Sequence, residues 1–391
     1  MAKKDKELDN NVKPEEISKN LLNSLLGGYK DSHYNFIETA PQTNISSGSL
    51  ILDSYINVKS GSTIRIGGGQ AESGKSSQCL LFAANYMKIM PKSKTFLVNS
   101  EARLSSELQK RSGLKFVTDS NEWDYGTVFV YHSNIMEASC RTIESLLKSM
   151  FEQGEHLCVI IDSIDMMTLK QNMEEKEFGE PTKIAGVQFL TKEIFRRIGH
   201  PIYRYNALLL ITSQYSSSIS LDPYSKEPPK LMQGTSANAL NHQSDYAIYY
   251  RPRYQGDFIL EDPDEKPDRI KNKIVGVFAT VEIKKSATDV TGTVLKIPIK
   301  RGKIGNQIWV SKEVGDMILG YGLAKKEKST FVFSETVLSQ VAEENLSRPK
   351  DQKMELKDRI VGLNNFYNYL EENEPICNWF YKKFTDIKNT E

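Results

Sequence analysis

Apolar and polar positions divide the chain into three regimes. Through residues 1–44 polar and charged residues dominate, broken by one amphipathic stretch from Pro14 to Leu26. Within it Ile17, Leu21, Leu22 and Leu25 share a helical face, and Gly27-Gly28 supplies the stop. A helix that short cannot bury its stripe alone. Docking on its own core and docking on a neighbouring subunit both fit the pattern. From 45 to 335 short apolar runs alternate with longer stretches of helical period, which predicts a largely parallel sheet covered on both faces. The predicted strands are Ser62–Ile66, Thr95–Asn99, Thr127–Tyr131, Cys158–Ile161 and Ala207–Ile211, then two antiparallel-looking runs, Val275–Ile283 and Thr291–Ile299. Predicted helices include Glu137–Glu152 and Lys183–Gly199. Residues 336–391 read as helical: Leu356, Ile360, Leu363, Tyr367 and Leu370 follow 4-3-4-3 spacing, and Pro375 opens a second helix with Trp379, Phe380 and Phe384. That pattern predicts a small helical subdomain packed on itself or on the main core. No internal repeat interrupts this order.

Composition adds bounds. A length of 391 residues suits one large domain with appendages, or two domains. At 39% hydrophobic and 26% charged, the chain is expected to be an ordinary globular protein. Lys+Arg 51 against Asp+Glu 50 leaves a formal charge of +1, so bulk charge neither demands nor excludes a polyanionic partner. Cys79, Cys140, Cys158 and Cys377 are far apart and lack metal-site spacing, which favours reduced thiols. No apolar run reaches membrane-spanning length and no signal-peptide core follows Met1, so a soluble, cytoplasmic protein without a membrane partner is expected.

The most specific chemistry lies at Gly69-Gln70-Ala71-Glu72-Ser73-Gly74-Lys75-Ser76, a complete phosphate-loop pattern between an apolar strand and a helical segment beginning at Ser77. In such a loop backbone N–H groups turn inward around a phosphate and the helix N-terminus adds positive partial charge. Lys75 would meet the β- and γ-phosphates of a nucleoside triphosphate, and the Ser76 hydroxyl would ligate Mg²⁺. A dinucleotide reading of Gly67-Gly68-Gly69 is weaker, because Glu72 stands where a third glycine belongs.

Four further features fit around that loop. Asp162 closes the run Cys158–Ile161 and is a candidate Mg²⁺ holder on a strand adjacent to the loop strand; read alone it is a cap. Glu101 follows the next strand and reads as a general base or as a solvated loop acid. Gln214 ends another strand and reads as a γ-phosphate reporter or as a polar terminus. Tyr215 to Asn238, rich in Ser, Pro and Gly, has no helical or strand period, and an irregular stretch at 174–183 follows the Asp162 strand. Long structureless loops inside compact domains are usually functional; two solvated surface loops are the plainer alternative.

Taken in order, Ile45-Ser46-Ser47-Gly48-Ser49-Leu50-Ile51-Leu52-Asp53, the loop 69–76, Ser100-Glu101, Val159-Ile160-Ile161-Asp162-Ser163, Leu210-Ile211-Thr212-Ser213-Gln214, Gly234-Thr235-Ser236-Ala237-Asn238-Ala239-Leu240 and Val281-Glu282-Ile283-Lys284-Lys285-Ser286 resemble the ATPase core of RecA-family strand-exchange recombinases, including the phage UvsX-like type. The resemblance spans about residues 30–335. It implies a RecA-like P-loop ATPase core at 45–335, a mostly parallel α/β sheet flanked by helices, with an oligomerisation segment at 1–44 and a small helical C-terminal subdomain at 336–391. It further implies ATP and Mg²⁺ as cofactors and a homo-oligomeric helical filament on single-stranded DNA. Homologous double-stranded DNA would be the second DNA partner, with single-strand-binding and mediator proteins as protein partners in recombination, repair and replication.

By the same resemblance Glu101 would be the catalytic carboxylate, Gln214 the γ-phosphate sensor, and Lys285 a contact to the neighbouring subunit's ATP. Ser73, Gly74, Lys75, Ser76 and Ser77 would cradle the phosphates with Gly69, Gln70, Ala71 and Glu72. The DNA loops would be 174–185, with Lys183 and Ile184, and 215–238, with Ser216, Ser218, Ile219, Lys226, Lys230, Gly234 and Asn238. Ile219 stands where the family wedges an apolar side chain between bases. The chain departs from the family pattern at Ser216 and Ser218, where basic residues are usual, at Ala287 in place of a second basic residue, and at Leu108 in place of an adenine-stacking aromatic. Two other functions share the loop and Asp162: a hexameric helicase-type motor, which normally carries a larger N-terminal domain, and a non-exchanging recombinase paralogue acting as an accessory DNA-binding ATPase.

Overall fold

Alternate side chains of the central strands point to opposite faces, and here both faces are buried, so the strands carry apolar residues at nearly every position. The computed structural model describes residues 19, 21–24, 33, 40–69, 73–174, 184–217, 231–233, 237–261, 268, 272–349 and 352–390. The order is α1 (Leu50–Tyr55), β1 (Thr63–Gly68), α2 (Lys75–Ile89), β2 (Ser93–Asn99), α3 (Ser106–Ser112), β3 (Lys115–Val117), β4 (Thr127–Tyr131), α4 (Met136–Glu152), β5 (His156–Asp162), α5 (Lys170–Glu174), α6 (Ile184–Arg204), β6 (Leu208–Ser217), β7 (Leu231–Gln233), α7 (Ala237–Gln243), β8 (Tyr246–Tyr250), β9 (Phe258–Leu260), β10 (Ile274–Lys285) and β11 (Val294–Lys300). One sheet runs β11-β10-β8-β1-β6-β5-β2-β4-β3, with β7 added to β6 and β9 to β10. Every pairing from β8 to β3 is parallel; those involving β7, β9, β10 and β11 are antiparallel.

Period-two alternation sorts the core. Ile64, Ile66, Leu97, Cys158, Ile160, Leu208 and Leu210 face one side and pack with Cys79, Phe82, Ala83 and Tyr86 of α2. Phe96, Val98, Val159, Ile161, Leu209 and Ile211 face the other and pack with Ile143 and Leu147 of α4 and Phe195, Ile198 and Ile202 of α6. Burying a side chain of this size contributes about 1.5–3 kcal/mol. On that second face β1 presents Arg65, fully buried.

Several sequence expectations change. Asp162's strand is not adjacent to the loop strand, because β6 intervenes between β1 and β5. The 215–238 stretch is not without structure: β6 continues to Ser217 and pairs with β7, Tyr215 opposite Gln233 and Ser217 opposite Leu231, giving the loop a two-stranded stem. The 291–299 run starts as a strand only at Val294. β8, apolar throughout and too short to show a period, was legible neither as helix nor strand, yet it flanks β1.

The C-terminal region is mixed rather than helical. After α8 (Val310–Gly320) come β12 (Ala324–Glu327), β13 (Thr330–Phe333), α9 (Glu335–Ser347), β14 (Arg359–Val361), α10 (Leu363–Glu372) and α11 (Glu374–Thr390), and β12, β13 and β14 make a separate antiparallel sheet. The 4-3-4-3 stripe fails as one helix: Ile360 lies on β14, and only from Leu363 does the chain turn helical. Apart from Leu50, its core runs from Val314 to Phe384, so this unit starts well before residue 336. Of the N-terminal helix, residues 19 and 21–24 are described as helical, and Leu21 and Leu22 are exposed; the rest of Pro14–Leu26 lies outside the described residues. No helix among the described residues is long and apolar enough to cross a membrane. Cys79, Cys158 and Cys377 are buried free thiols, and Cys140 is half-buried and free.

Helix α1 joins the two units. Leu52 enters the main core while Leu50 enters the C-terminal one. Beside it the buried carboxyl of Glu313 on α8 accepts from the Ser49 hydroxyl at 2.5 Å and the Leu50 N–H at 2.9 Å. Burial pushes this carboxyl up to about 8, against the pull of those two hydrogen bonds. A raised acid favours the folded state fully below its unfolded value and loses that advantage as pH climbs to the folded value. Thermal unfolding midpoints should therefore fall between about pH 5 and 8, and Glu313→Gln should flatten that part of the profile, the difference amounting to a few kcal/mol at most. Superimposable pH profiles for the two proteins would refute the assignment.

Candidate nucleotide site

Parallel strands deliver their C-terminal ends to one edge, and β1, β6, β5 and β2 stand side by side there. Register is close: Gly68 lies opposite Gln214, and Asp162 opposite Asn99. Helix α2 starts at this edge. Its first residue is Lys75, preceded by Gly74 at φ 112°, a left-handed conformation that a side chain would strain. Among the described residues no side chain caps this helix, and no acid occupies its first turn, which contains Ser76 and Ser77. Its leading N–H groups and the positive end of its dipole could meet an anion, as at anion sites on other helix N-termini.

The side chains converge. Lys75 Nζ lies 3.4 Å from the buried Ser73 hydroxyl. Burial lowers the ammonium's pKa, while Asp162, Glu101 and Asp165 pull it back up. Asp162 Oδ1 accepts from Thr212 on β6 at 2.6 Å. Glu101 Oε1 accepts from the Ser163 hydroxyl at 2.6 Å and from Gln214 Nε2 at 3.1 Å. Ala102, next in the chain, adopts φ 52°, a costly left-handed turn that redirects the chain after β2. The Asp162–Ser163 peptide bond is cis.

Thus Lys75, Ser76, Ser77, Ser73, Gly74, Gly69, Asp162, Glu101 and Gln214 occupy one edge, although β6 and β5 separate the strand of Glu101 from β1. Gln70, Ala71 and Glu72 lie outside the described residues. So do Lys183, Ser218, Ile219, Lys226, Lys230 and Gly234. Ile184 begins α6, Ser216 pairs with Met232 in the hairpin stem, and Asn238 falls in the first turn of α7. The Lys285 Nζ donates to the carbonyls of Asn241 and His242 at the end of α7, at 2.7 and 3.1 Å. A bulge between Ile283 and Lys285 separates it from Lys284, which pairs with Glu282 at 2.6 Å. Leu108, the residue in place of the adenine-stacking aromatic, packs partly buried against the main core.

Two residues escaped the sequence reading, one at this edge and one behind it on the reverse face of the sheet. Asp165, on the turn Ile164–Met166, accepts the Gln214 N–H at 2.6 Å; burial raises its carboxyl while that bond and Arg65 lower it. Arg65 is the other, and its signal was present: a lone charge between Ile64 and Ile66 in a strand buried on both faces. The glycines before the loop also find a reason. A Cβ on Gly67 would come within 2.2 Å of the Tyr215 ring, and one on Gly68 within 2.9 Å of Ser73 Oγ.

Can these residues hold a magnesium nucleotide? Among the described residues no cluster of three or more His, Cys, Asp or Glu could hold a metal by itself. Mg²⁺ asks for less: it binds through one or two carboxylates and otherwise keeps water or phosphate oxygens. Ser76 at the helix start and Asp162, aligned by Thr212, suit that role. One ammonium among three carboxylates would repel a bare polyanion but accept one that carries a divalent cation.

Comparison with protein-family models finds no match, and no curated protein matches the chain.

The Gly67–Tyr215 contact is testable. Gly67→Ala should destabilise the protein by about 1–3 kcal/mol through overpacking alone. Denaturant unfolding of Gly67→Ala and of Gly67→Ala/Tyr215→Leu should show the second change recovering most of the loss. An unaffected single variant would mean that the ring does not sit over this glycine.

Proposed function

We propose that the chain is an ATP-hydrolysing, single-stranded-DNA-binding protein of the RecA recombinase kind, acting as a filament of identical subunits in homologous pairing and strand exchange. One observation carries the reading: a lysine at a helix N-terminus shares its surroundings with Asp162 and Glu101, and Glu101 is bonded to Gln214, the residue that leads into the 215–238 loop. That is a hydrolytic arrangement wired to a loop. The ordered motifs of the sequence and the parallel sheet are consistent with it.

ATP would supply the scissile phosphoanhydride, and Mg²⁺, when bound, would neutralise its oxygens. Lys75 and the first N–H groups of α2 would bind the phosphates, and Ser76 and Asp162 would hold the cation. Glu101 orients the attacking water and accepts its proton, Ser163 and Gln214 fixing the carboxylate by converging on one oxygen. Gln214 exchanges that contact for the γ-phosphate when nucleotide is bound, which shifts the stem of the DNA loop. Lys285, drawn off α7, is the residue available to reach a neighbour's nucleotide. The exposed Leu21 and Leu22 fit docking of the N-terminal helix on the next subunit.

ATPase assays with and without single-stranded DNA, joined to electron microscopy with a non-hydrolysable ATP analogue, test the reading. A helical filament is expected. Closed rings would favour a helicase-type motor, and DNA-dependent hydrolysis without assembly would favour an accessory paralogue.

Lys75→Ala should abolish hydrolysis and ATP-dependent DNA binding while circular dichroism stays native, because it removes the charge that meets the β- and γ-phosphates. Turnover at the normal rate would dismiss the site.

Glu101→Gln should retain nucleotide and DNA binding but hydrolyse on the order of 10²–10⁴-fold more slowly. A loss below about tenfold would reduce Glu101 to a structural acid.

A further inference from the structure

Arg65 stands at the centre of the sheet with no exposed surface, on the face of β1 opposite Ile64 and Ile66. A guanidinium in that position is expensive, and a well-packed apolar residue is generally as good or better for stability alone. Its partners are specific. Nε donates to the Ser213 hydroxyl at 2.8 Å, Nη1 donates to Asn241 Oδ1 at 2.5 Å, and the guanidinium lies 4.6 Å from the centroid of the Tyr215 ring. Ser213 and Tyr215 flank Gln214, so Arg65 grips β6 on both sides of that residue but on the reverse face. Asn241 belongs to α7, which begins as the 215–238 loop ends. Lys285 holds the Asn241 carbonyl from its other side.

We propose that Arg65 is a positioning residue that fastens the Gln214 segment of β6 to helix α7, so that both ends of the 215–238 loop move as one body when the nucleotide site changes. The inference rests on the ATP- and DNA-binding reading above. Alternation along β6 makes the fastening directional: Gln214 faces Glu101, while Ser213 and Tyr215 face the arginine. The planar fork of Arg65 spans Ser213 and Asn241 together, a geometry that a lysine's point charge does not reproduce. Asp165, which accepts the Gln214 N–H, adds an electrostatic tie to the same guanidinium.

The test compares full-length protein, Asn241→Ala, Asn241→Asp and Arg65→Met. For each, the affinity for a single-stranded oligonucleotide is measured with and without a non-hydrolysable ATP analogue, and the analogue's own affinity is measured without DNA. Coupled sites of this kind typically enhance one another by roughly 5–150-fold. Asn241→Ala and Arg65→Met should bring that enhancement to within about twofold of none, with DNA-free analogue affinity unchanged. Asn241→Asp, which keeps an acceptor for the guanidinium, should retain it; a general loss of packing would not discriminate between the two Asn241 variants. Should Arg65→Met fail to fold, the Asn241 pair decides. Full enhancement in Asn241→Ala, or its loss in Asn241→Asp as well, overturns the role given to Arg65 and leaves the functional reading standing. If the unaltered protein binds neither analogue nor DNA, the functional reading falls and this inference with it.

Discussion

Strand β6 is the element on which the site depends, because four consecutive residues each serve a different neighbour. Thr212 holds Asp162, Ser213 holds Arg65, Gln214 holds Glu101, and Tyr215 covers Gly67. A pleated strand can do this only by alternation, two side chains on each face. A one-residue slip would exchange the faces and undo all four contacts together. Its pairing with β1 on one side and β5 on the other prevents that slip. The bare backbone of β1 is part of the same constraint, since the Tyr215 ring fits only where Gly67 has no Cβ.

The site's electrostatics follow from this crowding. Asp162, Glu101 and Asp165 sit close enough to act on Lys75, and burial works against the charged form of Lys75 and Asp165 alike. The nearby carboxylates favour the charged form of Lys75, while hydroxyl and amide groups of the flanking strands donate hydrogen bonds to Asp162, Glu101 and Asp165. Glu101, with two donors on one oxygen, keeps one of them if Gln214 turns to another partner.

Much of the architecture was legible in the sequence because parallel strands buried on both faces are continuous apolar runs, and the runs at 95–99, 127–131 and 158–161 appear where expected. Glu101, Asp162 and Gln214 were legible for the related reason that polar residues ending such runs must gather at one edge. Strand order was not legible: nothing local in Leu208–Ile211 says that it pairs between β1 and β5. Ile360 misled because an apolar residue in a three-residue strand can fall in phase with a helical stripe. Arg65 and Asp165 were missed for opposite reasons. One is a charge hidden by its apolar neighbours, the other an acid overshadowed by Asp162 three residues earlier.

The seam between the two units depends on a carboxyl that burial keeps largely uncharged at neutral pH. An uncharged acid bonded to a hydroxyl and an amide presents no net charge for dissolved ions to screen. Contacts with phosphate backbones behave in the opposite way and weaken steeply as ionic strength rises. The Glu313 seam should therefore stay closed across a wide range of salt concentrations, leaving the two units joined.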